Sequence, residues 1–185
     1  MQEFVSPLVK IQKETVAKTT TNFYKIDSNV EEDLTILLNI SKRTKNLFLE
    51  SLFPKEITSY LFYFLSEDFF KNKIEFDNFC YYTVIENNET VGFFGFKNQN
   101  DVLSITDIFL TKENQNKGIG KSIVEFLIYE AQTLNSKTIQ VSVYQNDRQS
   151  RIFFEKMAFK KTTTQAKYFG SDVYLFEDVF ELNLK

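Results

Sequence analysis

A chain of 185 residues, 43% hydrophobic and 16% aromatic, suits one compact domain with an ordered core and excludes wholesale disorder. Its 22 Lys and Arg against 25 Asp and Glu leave a formal charge of −3, and the pI near 5.2 gives no global footprint for nucleic acid and a mild bias toward cationic partners. Histidine is absent and Cys80 is the only cysteine, which removes Ser-His-Asp triads, Cys-His pairs, intrachain disulfides and most zinc or non-haem iron sites at once.

No repeat, low-complexity tract or Pro/Gly/Ser linker divides the chain. Residues 1–21 read as a polar N-terminal arm, and residues 22–185 as a single domain. The start lacks an apolar run followed by a small-residue cleavage site, and "YLFYFL" (60–65) is too short to span a bilayer. A cytoplasmic protein without membrane or nucleic-acid partners is expected.

"NFYKI" (22–26) predicts a strand, and Ser28 a cap for a helix with Glu31, Glu32 and Asp33 in its first turn. A second helical region follows Pro54, with Ile57, Leu61, Phe64 and Leu65 at helical spacing. "FCYYTVI" (79–85) and "ETVGFFGF" (89–96) predict a hairpin turning at Asn87-Asn88, and "VLSITDIFL" (102–110) a third strand. From Gly118 the period becomes helical, with Ile119, Ile123, Phe126, Leu127 and Leu134 on one face and an end near Asn135-Ser136. "TIQVSVY" (138–144) predicts a buried strand and "RQSRIFFEKM" (148–157) a short helix; "YFGSDVYLFEDVFEL" (168–182) holds at least one closing strand. The Phe-rich segments are expected in the core, and "KKTTT" in an exposed β or loop segment.

Between the third strand and the helix lies "NQNKGIGKS" (114–122). A Walker A loop needs a Gly where Gln115 stands, because successive amides must wrap the phosphates unobstructed. The dinucleotide fingerprint needs a third Gly where Ile123 stands, so that helix and strand can pack closely. What remains is Gln115-x-x-Gly118-x-Gly120, directly after a strand and opening an amphipathic helix. It can point free amides and the positive helix end at an anion such as a pyrophosphate, or the glycines can simply permit a strained turn.

"FLTKENQNKGIGKSIVEFL" (109–127) resembles the central Gln/Arg-x-x-Gly-x-Gly/Ala motif of the GNAT superfamily of acyl-CoA-dependent N-acyltransferases. "NDRQSRIFFEKMAF" (146–159) is similar to that family's later N-x-x-A-x-x-F-Y-E-K-x-G-F segment. The element order fits over residues 22–184, with motifs specific to the family over 102–159. The resemblance implies an α/β (α+β) fold, a mostly antiparallel twisted sheet flanked by helices, in which two splayed strands bind acetyl-CoA as co-substrate without a metal. It places Gln115, Asn116, Lys117, Gly118, Ile119, Gly120 and Lys121 at the pyrophosphate, and Ile108, Phe109 and Leu110 at the pantetheine and thioester. Asn146, Ser150 and Phe153 would line the far side.

The implied activity is transfer of an acetyl group to a primary amine by direct attack on the thioester. A small cationic amine is favoured by the acidic pI, a protein amine is also in the family's range, and homodimerisation is left open. The chemistry asks for a base, a backbone amide at the carbonyl oxygen and an acid for the departing thiolate. Asp107 is the candidate base, alone where some relatives carry an acidic pair, since its neighbour is Thr106. Strand alternation puts those two on opposite faces, and a partnered or solvated Asp is the competing reading. The family's Tyr acid falls on Phe154, which has no proton to give, so Tyr144 and Tyr168 are the candidates, against packing or surface tyrosines. Ala158 replaces the usual Gly, while Glu86 and Glu89 are expected to be solvated. The Phe154 departure motivates an alternative, an acyl-CoA-binding module with little or no turnover.

Overall fold

The three-strand meander expected from the middle of the chain is the centre of a seven-stranded sheet. A computed structural model describes residues 21–52, 66–168 and 174–184, with the helix path alone over 45–52. In chain order these form β1 (Thr21–Lys25), α1 (Glu31–Leu52), α2 (Glu67–Glu75), β2 (Phe79–Glu86), β3 (Glu89–Gln99), β4 (Val102–Leu110), a 3-10 turn (Lys112–Asn114), α3 (Ile119–Thr133), β5 (Thr138–Tyr144), α4 (Arg148–Lys156), β6 (Lys160–Tyr168) and β7 (Tyr174–Asn183). The strand order is β1-β2-β3-β4-β5-β7-β6. Only β4 and β5 run parallel, and every other neighbouring pair is antiparallel. The fold is therefore mixed α/β with a mostly antiparallel sheet flanked by helices, as the motifs imply.

Local chemistry explains most of the boundaries. Asn87 and Asn88 both adopt left-handed φ, 51° and 64°, the pair a two-residue hairpin turn demands and Asn tolerates. The lead-in to α1 is organised by Asp27 and Asp33 rather than by Ser28. The Asn29 N–H donates to Asp27 Oδ1 at 2.9 Å, and the Asp27 N–H donates to Asp33 Oδ2 at 2.9 Å. Ser66 caps α2, accepting from the Phe69 N–H at 3.2 Å. The sequence pattern before Glu67-Asp68 carried that signal, which the reading of the region after Pro54 overlooked. The helix expected over 57–65 lies outside the described residues, as does all of the N-terminal arm except Thr21, which opens β1.

Phe93 and Phe94 are adjacent on β3 and both fully buried, so the sheet is covered on both faces. On one face α3 and α4 pack with Phe94, Leu103, Ile105, Ile123, Phe126, Ile139 and Phe180. On the other, α1 and α2 pack with Ile26, Leu34, Leu37, Phe70, Tyr81 and Phe93. Burial on both sides is why "VGFFGF" reads as a continuous apolar run instead of alternating. Leu134, expected on the buried face of α3, is the residue that ends the helix and is exposed.

Candidate active site

The sheet opens between its two parallel strands. Pairing of β4 with β5 runs from Val102↔Thr138 to Ile105↔Val141 and stops there. Beyond that point β4 continues to Leu110 along β3, and β5 continues to Tyr144 along β7. Each is held by its outer neighbour while the inner edges diverge. Ile108 and Leu110 pack toward the α3 side, whereas Phe109 stacks on Phe93 at 5.5 Å on the α1 side. The three side chains expected at the pantetheine therefore do not share a face, because a strand alternates; what they share is the backbone edge along the opening.

A β-bulge sits where the opening begins. Gly95 pairs with Asp107 and Phe96 with Ile105, so Thr106 is the extra residue. Strict alternation would separate Thr106 from Asp107, but the bulge turns both side chains toward the phenol of Tyr81. The Tyr81 hydroxyl donates to Asp107 Oδ2 at 3.3 Å. Burial first, then the Asp107 charge and its hydrogen bond, push that phenol well above its ordinary range, so it stays protonated and donating. Gly95 makes the reach possible: a Cβ there would lie 2.4 Å from the Tyr81 ring. Tyr81 went unnoticed in the sequence, although a glycine inside a strand is itself a signal of close approach.

Across the opening, Tyr144 ends β5 on the same face. Burial, then the charge and hydrogen bond of Glu177, then the Asp107 charge raise its phenol. The two candidate catalytic residues thus come within electrostatic reach of each other, with Tyr144 holding its proton at neutral pH. Glu177 is buried at 6% exposure. It accepts from Gln165 Nε2 at 3.2 Å, and the same amide donates to Ser142 Oγ at 3.2 Å. Tyr168, the other candidate acid, lies apart: it is exposed, with its ring 4.9 Å from that of Tyr174.

At the far end of β4 the loop bends into α3. Gly118 has φ 87° and is exposed, and an added Cβ would meet nothing within 4 Å, so the loop surface there is open. Gln115, exposed, folds back along the surface, donating from Nε2 to the Leu110 carbonyl at 3.1 Å, and Lys117 Nζ donates to Asn114 Oδ1 at 3.2 Å. Gln115 therefore staples the loop to β4, and Lys117 braces it. Asn116, Lys117 and Lys121 are exposed, and Ile119 is buried in the core. A Cβ on Gly120 would lie 3.3 Å from the Phe153 ring, so loop and α4 meet as the motif pairing implies. Asp147 caps α4, its Oδ1 accepting from the Ser150 N–H at 3.0 Å, and Asn146 is exposed on the preceding turn.

A cavity of about 330 Å³ borders the outer side of this loop, lined in part by Lys117, Gly118, Lys121, Ser122, Thr21 and Glu86. Glu86 is buried, not solvated, and accepts from Thr21 Oγ1 at 2.7 Å. Glu89 is exposed, as expected.

Phe154 occupies the family's Tyr position as a core residue. Its carbonyl accepts from the Phe159 N–H at 3.0 Å, the Glu155 carbonyl from the Ala158 N–H at 3.0 Å, and the Phe154 and Phe159 rings are 5.3 Å apart. This is a Schellman ending with its apolar contact. It demands left-handed backbone at Ala158, which has φ 67°, and explains why the family carries Gly there.

Among the described residues no group of three or more His, Cys, Asp or Glu side chains could hold a metal ion, and no helix is long and apolar enough to cross a membrane. No curated protein matches the chain. Solved structures do. The PaiA N-acetyltransferase of Thermoplasma acidophilum in complex with coenzyme A shares 15% identity over 89% of this chain and 99% of its own, with a TM-score of 0.72. The ribosomal-protein-S18-alanine N-acetyltransferase of Escherichia coli shares 17% over 89% and 94%, at 0.66. A probable acetyltransferase of Staphylococcus epidermidis shares 15% over 90% and 100%, at 0.68. At these identities the likeness shows the fold alone. The family itself is shown by sequence: residues 44–159, more than half of the chain, match the acetyltransferase (GNAT) family, and the chain belongs to it.

Proposed function

We propose that this protein transfers an acetyl group from acetyl-CoA to a primary amine, preferring a small cationic amine to a protein amine, by direct attack of the amine on the thioester. The observation that carries this reading is the opening beyond Ile105 and Val141. One end is bordered by the Thr106 bulge with Asp107, the other by the open Gly118 loop and the N-terminus of the 15-residue helix α3.

Those residues suit the co-substrate. The loop amides and the positive end of α3 would hold the pyrophosphate, and the exposed Lys121 adds charge there. The diverging edge of β4 at residues 108–110 would pair with the amide-bearing pantetheine arm. Acetyl-CoA supplies an activated acyl thioester, so the chain's own contribution is orientation and proton handling. Asp107, held as an acceptor by the Tyr81 hydroxyl at 3.3 Å, takes the proton of the attacking amine. Tyr144, protonated at physiological pH and placed across the opening from Asp107, gives a proton to the departing thiolate. That role replaces the one Phe154 cannot fill.

The second reading, a binding module without turnover, draws on the burial of Phe154. Thiol release from acetyl-CoA, followed with a panel of monoamines, diamines and peptides bearing free N-termini, separates the two. Transfer predicts release with at least one small amine. Thermal stabilisation by acetyl-CoA with no thiol release from any amine would favour the module.

A further inference from the structure

On the cleft face of the β6–β7 pair, an ammonium of the chain itself, Lys167 on β6, sits beside Glu177 on β7. Lys167 Nζ lies 3.6 Å from Glu177 Oε1 and 6.0 Å from the centre of the Tyr144 ring. The two partners of this ion pair are buried very unequally, with the Lys167 side chain 51% exposed and that of Glu177 only 8%. A buried carboxylate needs a cation or donors close by, whereas an exposed Lys loses little on returning to water. At 3.6 Å the contact is an ion pair longer than a charge-assisted hydrogen bond. Beside the donors Gln165 and Tyr144, Glu177 keeps a cation at its Oε1, and Lys167 is an exchangeable one. The Tyr144 ring adds an aromatic wall, which attracts any ammonium placed over it.

The seat adjoins the chemistry. Tyr144 hydrogen-bonds Glu177 and feels the charge of Asp107 across the opening, and Gln165 ties Glu177 to Ser142, just past the last β4–β5 pair. We infer that Glu177 and the Tyr144 ring form a second ammonium subsite, occupied by Lys167 in the free protein, so that the preferred acceptor is an aliphatic diamine whose far ammonium displaces Lys167. The near amine, uncharged, is then left at the Asp107 side of the opening. This rests on the acetyl-transfer reading for its meaning, although the subsite binds without turnover.

The test is therefore a binding measurement first. Calorimetric titration of 1,4-diaminobutane and of butylamine into the 185-residue chain should show the diamine binding at least tenfold more tightly. Lys167→Met removes the internal competitor and should tighten diamine binding several-fold, while Glu177→Gln, checked for unchanged folding by circular dichroism, should weaken it by about tenfold. Equal affinities for the two amines, or a Lys167→Met variant that binds the diamine more weakly, would overturn the subsite. Thiol-release assays with the same pair then separate the two proposals. Monoamines turned over as well as diamines would sink the subsite and leave acetyl transfer standing. Tight diamine binding without any thiol release would sink acetyl transfer and leave the subsite.

Discussion

Glu177 and Asp178 are consecutive on β7, both buried and both acidic, yet they serve opposite faces of the sheet in opposite ways. Asp178 faces α4. Its Oδ1 accepts from Lys161 Nζ at 2.7 Å, Thr164 Oγ1 at 2.8 Å and Gln145 Nε2 at 3.0 Å, and Arg151 Nε stands 3.3 Å from Oδ2. Burial alone would raise its carboxyl, but the hydrogen bonds and charge of Lys161 and the donors Gln145 and Thr164 hold it down at about 2. This knot joins the end of β5 to α4, β6 and β7. Glu177 faces the cleft, served by one amide, a phenol and a solvent-side Lys. A carboxylate with three donors on one oxygen and a guanidinium beside the other ties the strands and α4 together, and one served by a largely exposed Lys is available to a substrate.

That contrast can be broken most forcefully by removing each carboxylate. Asp178→Ala strands Arg151 and Lys161 without their counter-charge and should cost roughly 3 kcal/mol, on the order of 10 °C in Tm. Glu177→Ala should cost less, about 1–2 kcal/mol, because Lys167 moves into water and only the Gln165 amide and the Tyr144 hydroxyl lose an acceptor. Equal losses in thermal denaturation would erase the distinction.

The pH dependence sharpens it. Because the folded carboxyl of Asp178 is depressed from 3.8 to about 2, its stabilisation is fully present above the unfolded value and is lost as pH falls through that window. Acid titration of stability should therefore flatten between about pH 4 and pH 2 in Asp178→Asn, and a wild-type slope in the variant would contradict the assignment.

A smaller effect tests the cleft face. Gly95→Ala places a Cβ where the Tyr81 ring lies, 2.4 Å away, which should move the phenol off Asp107. The expected result is a fall of about tenfold in kcat with acetyl-CoA affinity unchanged, and a parallel loss of both would mean general distortion. The smallest effect is stabilising: Ala158→Gly relieves the left-handed backbone at φ 67° and should raise stability by about 1 kcal/mol.

The sequence exposed what depends on local spacing. The loop with Gly118 and Gly120, the strand before it and the helix after it were legible because turn chemistry and periodicity are local. The Phe153 contact with that loop was legible through the second motif. Thr106 and Asp107 were misassigned to opposite faces because a bulge is a property of the pair of strands, set by Gly95 on β3, and leaves no mark in the periodicity of β4 alone. Tyr81, Glu177 and Lys167 reach the cleft from β2, β7 and β6, and only the sheet order brings them beside Asp107 and Tyr144. Glu86 looked solvated beside a turn, yet β1 covers it through Thr21.

The central claim is that the Gly118 loop and the opening beyond Ile105 hold acetyl-CoA, and calorimetric titration tests it most directly. Acetyl-CoA should bind the wild-type protein, and binding should weaken by on the order of a hundredfold in a Gly118→Val/Gly120→Val variant whose circular dichroism is unchanged. No heat of binding to the wild type, or undiminished affinity in the double variant, would contradict it.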